Sequence, residues 1–588
     1  MGIPLYFKKI SEKYGNVITP NLDHRRRTRL YFDLNGAIHP VCRHYLKKIE
    51  YDPLQKNNIE QVMLHDLVHY MKKLIQFSQA TEVFIAIDGV APLAKMNQQR
   101  MRRYKSAQER DSNVPYWDTN MISPGTPFMI KLQKYIEECI TKGELHPCFE
   151  REFLKDKTFP NPKIMFSNAN VPGEGEHKIM EQIRSLTEEQ SKNENLVIYG
   201  LDADLMMLSM ASQKHNIYLL REEIEYLKGG TSMDHDGWGD RHLYLQIDEL
   251  KYAITEELIG IIQKTNPICT IVKRMNYTKE DRKLGNFIDD YIFLCFLFGN
   301  DFLPHSLILS LRYDGLEHIL KAYAKSYIQM ANRHIIQNGK IYTPQFRYIL
   351  ELLSREENKL VKVIHKRRKN FKVRTQDCET QEEKEKILQS HYPILKRLDE
   401  DKIQLGTPGW KARYYRKVFP IQSKDEMRSI VLQWCKTLRW NLEYYFHGCP
   451  QQDWVYGFHC MPCISDIHYV LEKEKMFDFS QFTFKKGTPH SPLVQLLSIL
   501  PPQSVELLPK NAQYLMKDTS SPLYYYYPIG CAVDQHFKKY DWECTPILPH
   551  VHQEDLKEIV KKIKLSAKEK EGFKRGKLFT KNYQQITT

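Results

Sequence analysis

Short apolar runs of branched and aromatic residues alternate with helical periodicity through the first third of the chain. Arg29 to Phe32 (RLYF), Glu82 to Ile87 (EVFIAI) and Leu196 to Tyr199 (LVIY) have the content of buried strands, and helical segments such as His65 to Gln76 and Pro127 to Lys142 lie between them. Strand, helix, strand predicts an α/β fold: a mostly parallel sheet with right-handed crossovers and flanking helices. From about Ile254 the texture changes to long helical patterns, Asp289 to Gly299, Leu316 to Asn332 and Met427 to Phe446, so a largely helical second region is expected. The stretch Lys359 to Arg374 (KLVKVIHKRRKNFKVR) carries no acid and reads as a surface segment or linker, and the chain closes on a Lys-rich helical pattern. The expected division is 1–250 for the α/β domain, 251–350 for a helical continuation, 351–425 for a variable basic linker and 426–588 for a helical C-terminal part.

Composition narrows the class. At 588 residues the chain exceeds one hydrophobic core, and 42% apolar content marks it as globular. A net charge of +14 points to a polyanionic partner, with nucleic acid first. The strongest apolar run, Tyr291 to Phe298, is 8 residues, a buried helix and no membrane span. Lys8 and Lys9 interrupt a signal-peptide pattern, and twelve scattered cysteines fit reduced thiols, so an intracellular protein is expected.

Chemistry enters at the strand ends. The first two β-runs end in an aspartate with glycine close behind, Asp33 and Asp88, and the third runs into Asp202 and Asp204. Ligands of open parallel sheets bind outside the carboxyl ends of the strands, so topology gathers these acids on one rim. Val171 to Met180 (VPGEGEHKIM) adds Glu174 and Glu176 on a glycine-broken segment that can bend sharply and approach another group closely. Asp301 ends an apolar helix in Gly299 to His305. These seven oxygen donors, without matching His or Cys spacing, suit Mg²⁺ or Mn²⁺ and argue against zinc. They exceed the need of one hard cation, and two ions bridging a phosphate would use them. Directly after Asp88, Lys95, Gln99, Arg102 and Arg103 fall at i, i+4, i+7 and i+8 of a helical pattern, a face able to hold a terminal phosphate. Cys460-Met-Pro-Cys463 has half of a zinc spacing, and Lys366 to Lys369 (KRRK) is a short basic cluster of the kind that marks a solvated or phosphate-contacting face.

The ordered blocks MGIPLYF, DLNGAIH, AIDGVAPLAKMNQQRMRRY, SPGTPFM, VPGEGEHKIM, YGLDADLMMLS, LREE and FLCFLFGNDFLPH resemble the signature blocks of the 5′-to-3′ exoribonuclease family, which degrades RNA bearing a 5′ monophosphate. Weaker similarity runs on through GWKARYY, YYFHGCPQQDW and LSILPP. The resemblance implies a nuclease domain over 1–250, with Asp33, Asp88, Glu174, Glu176, Asp202, Asp204 and Asp301 binding two Mg²⁺ ions. It further implies that Lys95, Gln99, Arg102 and Arg103 hold the 5′ phosphate of single-stranded RNA, and that His39 stacks on a base. An aromatic of the YYFHG block completes that stack, here Trp454; the chain departs from the family in carrying Gln452 where a first tryptophan usually stands. The large C-terminal extension of the big cytoplasmic members has no counterpart, and only Gly229 to Asp240 stands where some nuclear members carry a zinc knuckle, which points to the cytoplasm. A monomeric, processive enzyme releasing mononucleotides is expected. Two alternatives stay in view. A flap-type DNA nuclease would follow its last aspartate with a helix-hairpin-helix, and an inert RNA-binding scaffold would have lost carboxylates.

Overall fold

The three strands read from the sequence form and lie side by side in the computed structural model, which describes residues 6–110, 114–145, 162–200, 204–223, 241–267, 284–376, 378–397, 400–419 and 423–581. They belong to a sheet built from β1 (Ile18–Thr19), β2 (Arg27–Asp33), β3 (Glu82–Ala86), β4 (Lys163–Ser167), β5 (Glu194–Tyr199), β6 (Ile217–Glu222) and β7 (His242–Gln246), with Phe579–Lys581 as a last strand. Among the described residues its order is β1-β7-β6-β5-β2-β3-β4 and then Phe579–Lys581. The inner five strands, β6 through β4, run parallel, and the edges are antiparallel. The chain builds from β2 outward through β3 to β4, then returns to lay β5 and β6 on the other flank. Strand order thus reverses between β2 and β5, and at such a switch point the loops part to leave a crevice above the strand ends.

Helices α1 (Asn35–Leu46), α2 (Lys56–Ser78), α3 (Leu93–Gln108), α4 (Pro127–Lys142), α5 (Gly175–Ser185) and α6 (Asp204–Ala211) flank the sheet. Leu64, Leu67, Met71 and Leu74 of α2 and Leu132 and Ile136 of α4 share one buried cluster with Leu30, Phe32, Val83 and Ile85 of the strands. The span of α4 is set locally: Thr126 caps its start, Pro127 occupies the first turn and Gly143, at φ +77°, ends it.

By compactness, Phe7–Lys251 form one unit together with Gly487–Ile529 and Pro549–Thr588. The sequence had grouped those two late segments with 426–486. Pro492–Ile499 and Gln553–Lys562 instead help to bury the apolar side of α3, where Ala91 and Met96 cluster with Leu493, Leu497, Leu500 and Tyr527. The Lys-rich tail does not end as a helix: Phe579–Lys581 pairs antiparallel with β4 and closes that sheet edge.

The other unit, Met1–Tyr6, Tyr252–Lys486 and Gly530–Leu548, is largely helical, as expected. Its long elements are α7 (Leu284–Cys295), α8 (Gly315–Gln329), α9 (Thr343–Lys369), α10 (Lys424–His447) and α11 (Ile464–Lys473). A fully buried Asp290 ties α7 to α8 and the segment beyond it, accepting from the Tyr323 hydroxyl at 2.6 Å and the Ile336 amide at 2.7 Å, with His334 Nδ1 at 2.8 Å. The basic stretch read as a linker begins as the C-terminal part of α9, whose other face buries Leu360, Val361 and Ile364.

Candidate active site

Asp33 is the last residue of β2 and is 8% exposed. Asp88 follows β3 by two residues, and the two strand ends are stitched together: the Leu34 amide donates to Ala86 O at 2.9 Å, and the Asp88 amide to Asn35 Oδ1 at 3.0 Å. The glycine-broken segment is laid against β3 by paired backbone bonds, Gly89 N to Gly173 O and Gly173 N to Val90 O, both 2.9 Å. Gly173 takes φ +104°, which L side chains avoid. At Gly175 the reason is proximity, since a Cβ there would sit 2.7 Å from Asp33 Oδ1. The Gly175 amide donates to Asp88 Oδ1 at 2.7 Å, so Asp88 satisfies a first-turn N–H of α5 while it faces the rim.

The rim is therefore assembled by topology and by one tight turn. Glu174 and Glu176, on either side of Gly175, are 3% and 8% exposed, which rules out a solvated helix start. Asp204 opens α6 and is buried, whereas Asp202 lies outside the described residues. Ligand atoms of Glu174, Glu176 and His177 come within 4.8 Å of one another. His177 was not read from the sequence as a ligand, although its place beside the acid pair was the available signal; burial drives its pKa well below the ordinary value, leaving a neutral imidazole. The cations at the rim divide their work. Lys95 Nζ pairs with Glu174 at 2.6 Å, whereas Lys178 donates to Ile87 O at 2.7 Å and Asn168 O at 3.0 Å, its pKa pulled down to about 7 by burial. Buried carboxylates this close raise one another's free energy unless positive charge lies between them. The oxygen donors fit a hard divalent cation, and the structure holds a candidate acidic cluster for one.

Helix α3 carries the expected basic face beside Asp88. Lys95 is buried, Gln99 and Arg103 are half-buried and Arg102 is exposed. Arg103 donates to Ser123 Oγ at 2.7 Å, and burial lowers its guanidinium to about 10, a cation short of solvation. The buried Gln99 Oε1 has no hydrogen-bond partner among the described residues. His39, on α1, has an exposed ring, yet the surrounding protein and then Arg102, Arg103 and Arg43 hold its pKa down to about 4, so the ring is neutral at pH 7. Arg100 faces the other way and is structural. Its guanidinium donates to Pro549 O at 2.6 Å and to Tyr526 O, fastening the late segments to α3.

Asp301 and Trp454 belong to the helical unit. The Asp301 loop leaves the helical turn Phe296–Phe298 through Gly299 at φ +83° and is pinned by Asn300, whose Oδ1 accepts the Phe302 and Leu303 amides at 3.0 Å and whose Nδ2 donates to Asn441 on α10 at 3.1 Å. Phe302 packs edge-on to Trp440 and Tyr444, where the flap-type alternative called for a helix-hairpin-helix. Trp454 is half-buried; its indole donates to Thr437 Oγ1 at 3.2 Å, and Lys436 Nζ lies 4.0 Å from its ring centre. Cys463 is buried, its amide donating to the Tyr415 hydroxyl at 2.9 Å.

A parallel sheet with acids gathered at its switch point and a basic helix beside them defines a class, the carboxylate-centred nucleases. Within that class, residues 1–223 match the profile of the XRN 5′-3′ exonuclease N-terminus, and residues 281–399 and 394–583 match that of the Xrn1 helical domain. The chain belongs to the XRN family of 5′-3′ exonucleases. It is 28% identical to a 5′-3′ exoribonuclease 2 homolog of Drosophila melanogaster, over 95% of this chain and 70% of that protein. It is 29% identical to the 5′-3′ exoribonuclease 1 of Homo sapiens over 97% of this chain, which spans 34% of the human protein. Identity to the 5′-3′ exoribonuclease 2 of Arabidopsis thaliana is 26%, over 98% of this chain and 69% of that one.

Proposed function

We propose that the chain is a processive, Mg²⁺-dependent 5′-to-3′ exoribonuclease that removes 5′-mononucleotides from single-stranded RNA bearing a 5′ monophosphate. The observation that carries the reading is the approach of Asp33 and Asp88 to Gly175, between the buried Glu174 and Glu176, with Lys95 of α3 paired to Glu174. Asp202, Asp204 and Asp301 are further proposed ligands for two ions, with Mn²⁺ a workable substitute. When bound, such ions neutralise the scissile phosphate and lower the pKa of an attacking water.

The protein's own part is positioning. Arg102 and Arg103 offer forked donors to the terminal phosphate, and an under-solvated guanidinium such as Arg103 gains most from an arriving anion. Lys95, already paired with Glu174, links the phosphate face to the acids, so a correctly seated 5′ end and a correctly held carboxylate depend on the same ammonium. A neutral His39 presents a ring on which any base can stack without its sequence being read, and Trp454 is proposed as a second stacking residue. Hydrolysis consumes one water and releases a nucleotide that keeps the old 5′ phosphate, leaving a new 5′ phosphate on the shortened strand. Matched RNAs carrying 5′ monophosphate, triphosphate or hydroxyl, digested with and without Mg²⁺, test the reading. Rapid decay of the monophosphate substrate alone to mononucleotides, without accumulating intermediates, is expected; equal decay of all three ends, or internal cuts, would overturn it.

A further inference from the structure

The KRRK cluster stays outside the active-site reading, and its surroundings give it a second use. On α9 the exposed side chains Lys362, Lys366 and Lys369 fall at i, i+4 and i+7, one solvent-facing stripe, and Lys372 and Arg374 continue it beyond the helix. Among the described residues, none of these five has a carboxylate within 4.0 Å, whereas their neighbours Lys359 and Arg367 are paired with Glu356 and Asp314. Arg368 turns inward to Glu400 and to Lys538 O, which anchors the helix end to the segment 538–543.

An aromatic row starts where the stripe leaves the helix. Phe371 stacks on His391 at 5.7 Å, His391 meets Tyr540 edge-on at 4.7 Å, and Tyr540 stacks on Trp542 at 4.2 Å with the planes 9° apart. Lys539 lies 4.5 Å from the Phe371 ring and 4.8 Å from that of Tyr540, and Arg312 lies 5.3 Å from Tyr540. The outermost ring, Trp542, is 57% exposed. The turn is rigid: Glu543 accepts the Lys539 amide at 2.8 Å and pairs with Arg312, and these contacts hold its carboxyl below the ordinary range despite burial. A preorganised, half-open indole stack interleaved with cations, continuous with a stripe of lysines that have no acidic partner among the described residues, has the chemistry of a single-stranded nucleic-acid platform.

We infer that α9 and the Tyr540–Trp542 turn form a second, sequence-independent binding surface for single-stranded RNA, with a base stacking on Trp542 and phosphates along Lys362, Lys366 and Lys369. That the nucleic acid is RNA rests on the exoribonuclease reading; the surface itself rests on its own residues. The test uses the full chain, Trp542→Ala, and the triple variant Lys362→Glu, Lys366→Glu, Lys369→Glu, with thermal melts to confirm folding. Binding is read by fluorescence anisotropy on a 30-nucleotide oligouridine with a 5′ hydroxyl, across a salt series, and hydrolysis on a six-nucleotide 5′-monophosphorylated RNA. Each variant is expected to weaken long-strand binding about fivefold or more, with the triple variant lowering the salt slope by about 2 (roughly 0.7 per lost phosphate contact). Short-substrate turnover should stay at the wild-type value. Unchanged affinity and slope in both variants would overturn the inference, as would a surface that takes up polyglutamate in preference to oligouridine. Failure of the wild type to cleave the short substrate would count against the proposed function and leave the binding result standing.

Discussion

The two ends of the parallel sheet use the same residue types to opposite purposes. At the amino ends of β2, β3 and β5, Arg29 lies between Glu82 and Glu194 and pairs with both, each side chain nearly buried. At the carboxyl ends of the same strands the balance is reversed. Asp33 and Asp88 crowd Gly175 there, Glu174 and Glu176 stand on either side of it, Lys95 pairs with Glu174, and Lys178 spends its protons on backbone carbonyls. A buried carboxylate with a matched guanidinium is a device for registering strands. Several buried carboxylates gathered on one rim repel one another, a repulsion that a bound cation would relieve. The difference separates fold from site without reference to any relative.

The largest effect should come from the carboxyl end. Asp33→Asn keeps the shape of the side chain but removes charge from the centre of the rim, and hydrolysis of 5′-monophosphorylated RNA should fall at least ~100-fold, about 3 kcal/mol of transition-state stabilisation. The melt should be preserved. Turnover above about a tenth of wild type would take Asp33 out of the proposed ligand set.

At the amino end the order of effects should invert. Arg29→Met removes the cation that Glu82 and Glu194 share and leaves Glu82 only the more exposed Arg27 at 3.4 Å, a change that should cost about 3 kcal/mol. Chemical denaturation should show that loss, while turnover per folded molecule stays near wild type. An Arg29→Met protein of ordinary stability but poor activity would mean that the amino end is not merely structural.

Both ends were partly legible in the sequence, for different reasons. Asp33 and Asp88 could be placed because strand ends in a parallel sheet converge by topology alone, and the two glycines around Glu174 announced a close approach that the 2.7 Å distance to Asp33 explains. The α3 face could be placed because helical spacing is local. The return of 487–529 and 549–581 to the sheet unit could not be read, since Ala91 and Gln495 are bonded across 404 residues and nothing in either segment encodes the other. The basic stretch, expected as a surface segment or linker, does lie at the surface, but up to Lys369 it is helix and not linker: its charges hid the apolar stripe of Leu360, Val361 and Ile364 that keeps it helical. Trp454 stays a proposal: its ties to Thr437 and Lys436 lie in the helical unit, whereas His39 lies in the sheet unit.

Helix α3 repeats the contrast between the ends on a smaller scale. Arg102→Ala with Arg103→Ala should remove the preference for a 5′ monophosphate over a 5′ hydroxyl, slowing the monophosphate substrate by about tenfold or more while internal RNA binding changes little. Arg100→Met should do the reverse, lowering the melt because the Pro549 and Tyr526 carbonyls lose their donor, and sparing end preference. If the Arg102 and Arg103 double variant kept the wild-type preference, the terminal phosphate would be held elsewhere.

The smallest effect is the most direct measure of stored charge repulsion. If the carboxyl-end acids wait for divalent ions, Mg²⁺ binds the folded state and not the unfolded one, and at about ten times its dissociation constant it should add roughly 1.4 kcal/mol of stability. In a unit of this size that is a rise of about 2 °C in the melt. The paired amino end has nothing to gain, so Arg29→Met should start lower and show the same increment. Asp33→Asn combined with Glu176→Gln should behave differently in both respects. Without metal it should melt at or above wild type, because two mutually repelling charges are gone, and adding Mg²⁺ should leave its melt unmoved. The experiment needs no RNA and no turnover, so it separates ion binding from catalysis. A wild-type melt indifferent to Mg²⁺, or a double variant that keeps the full increment, would mean that the repulsion at the rim is relieved by the protein itself and that the two ends of the sheet differ less than their charges suggest.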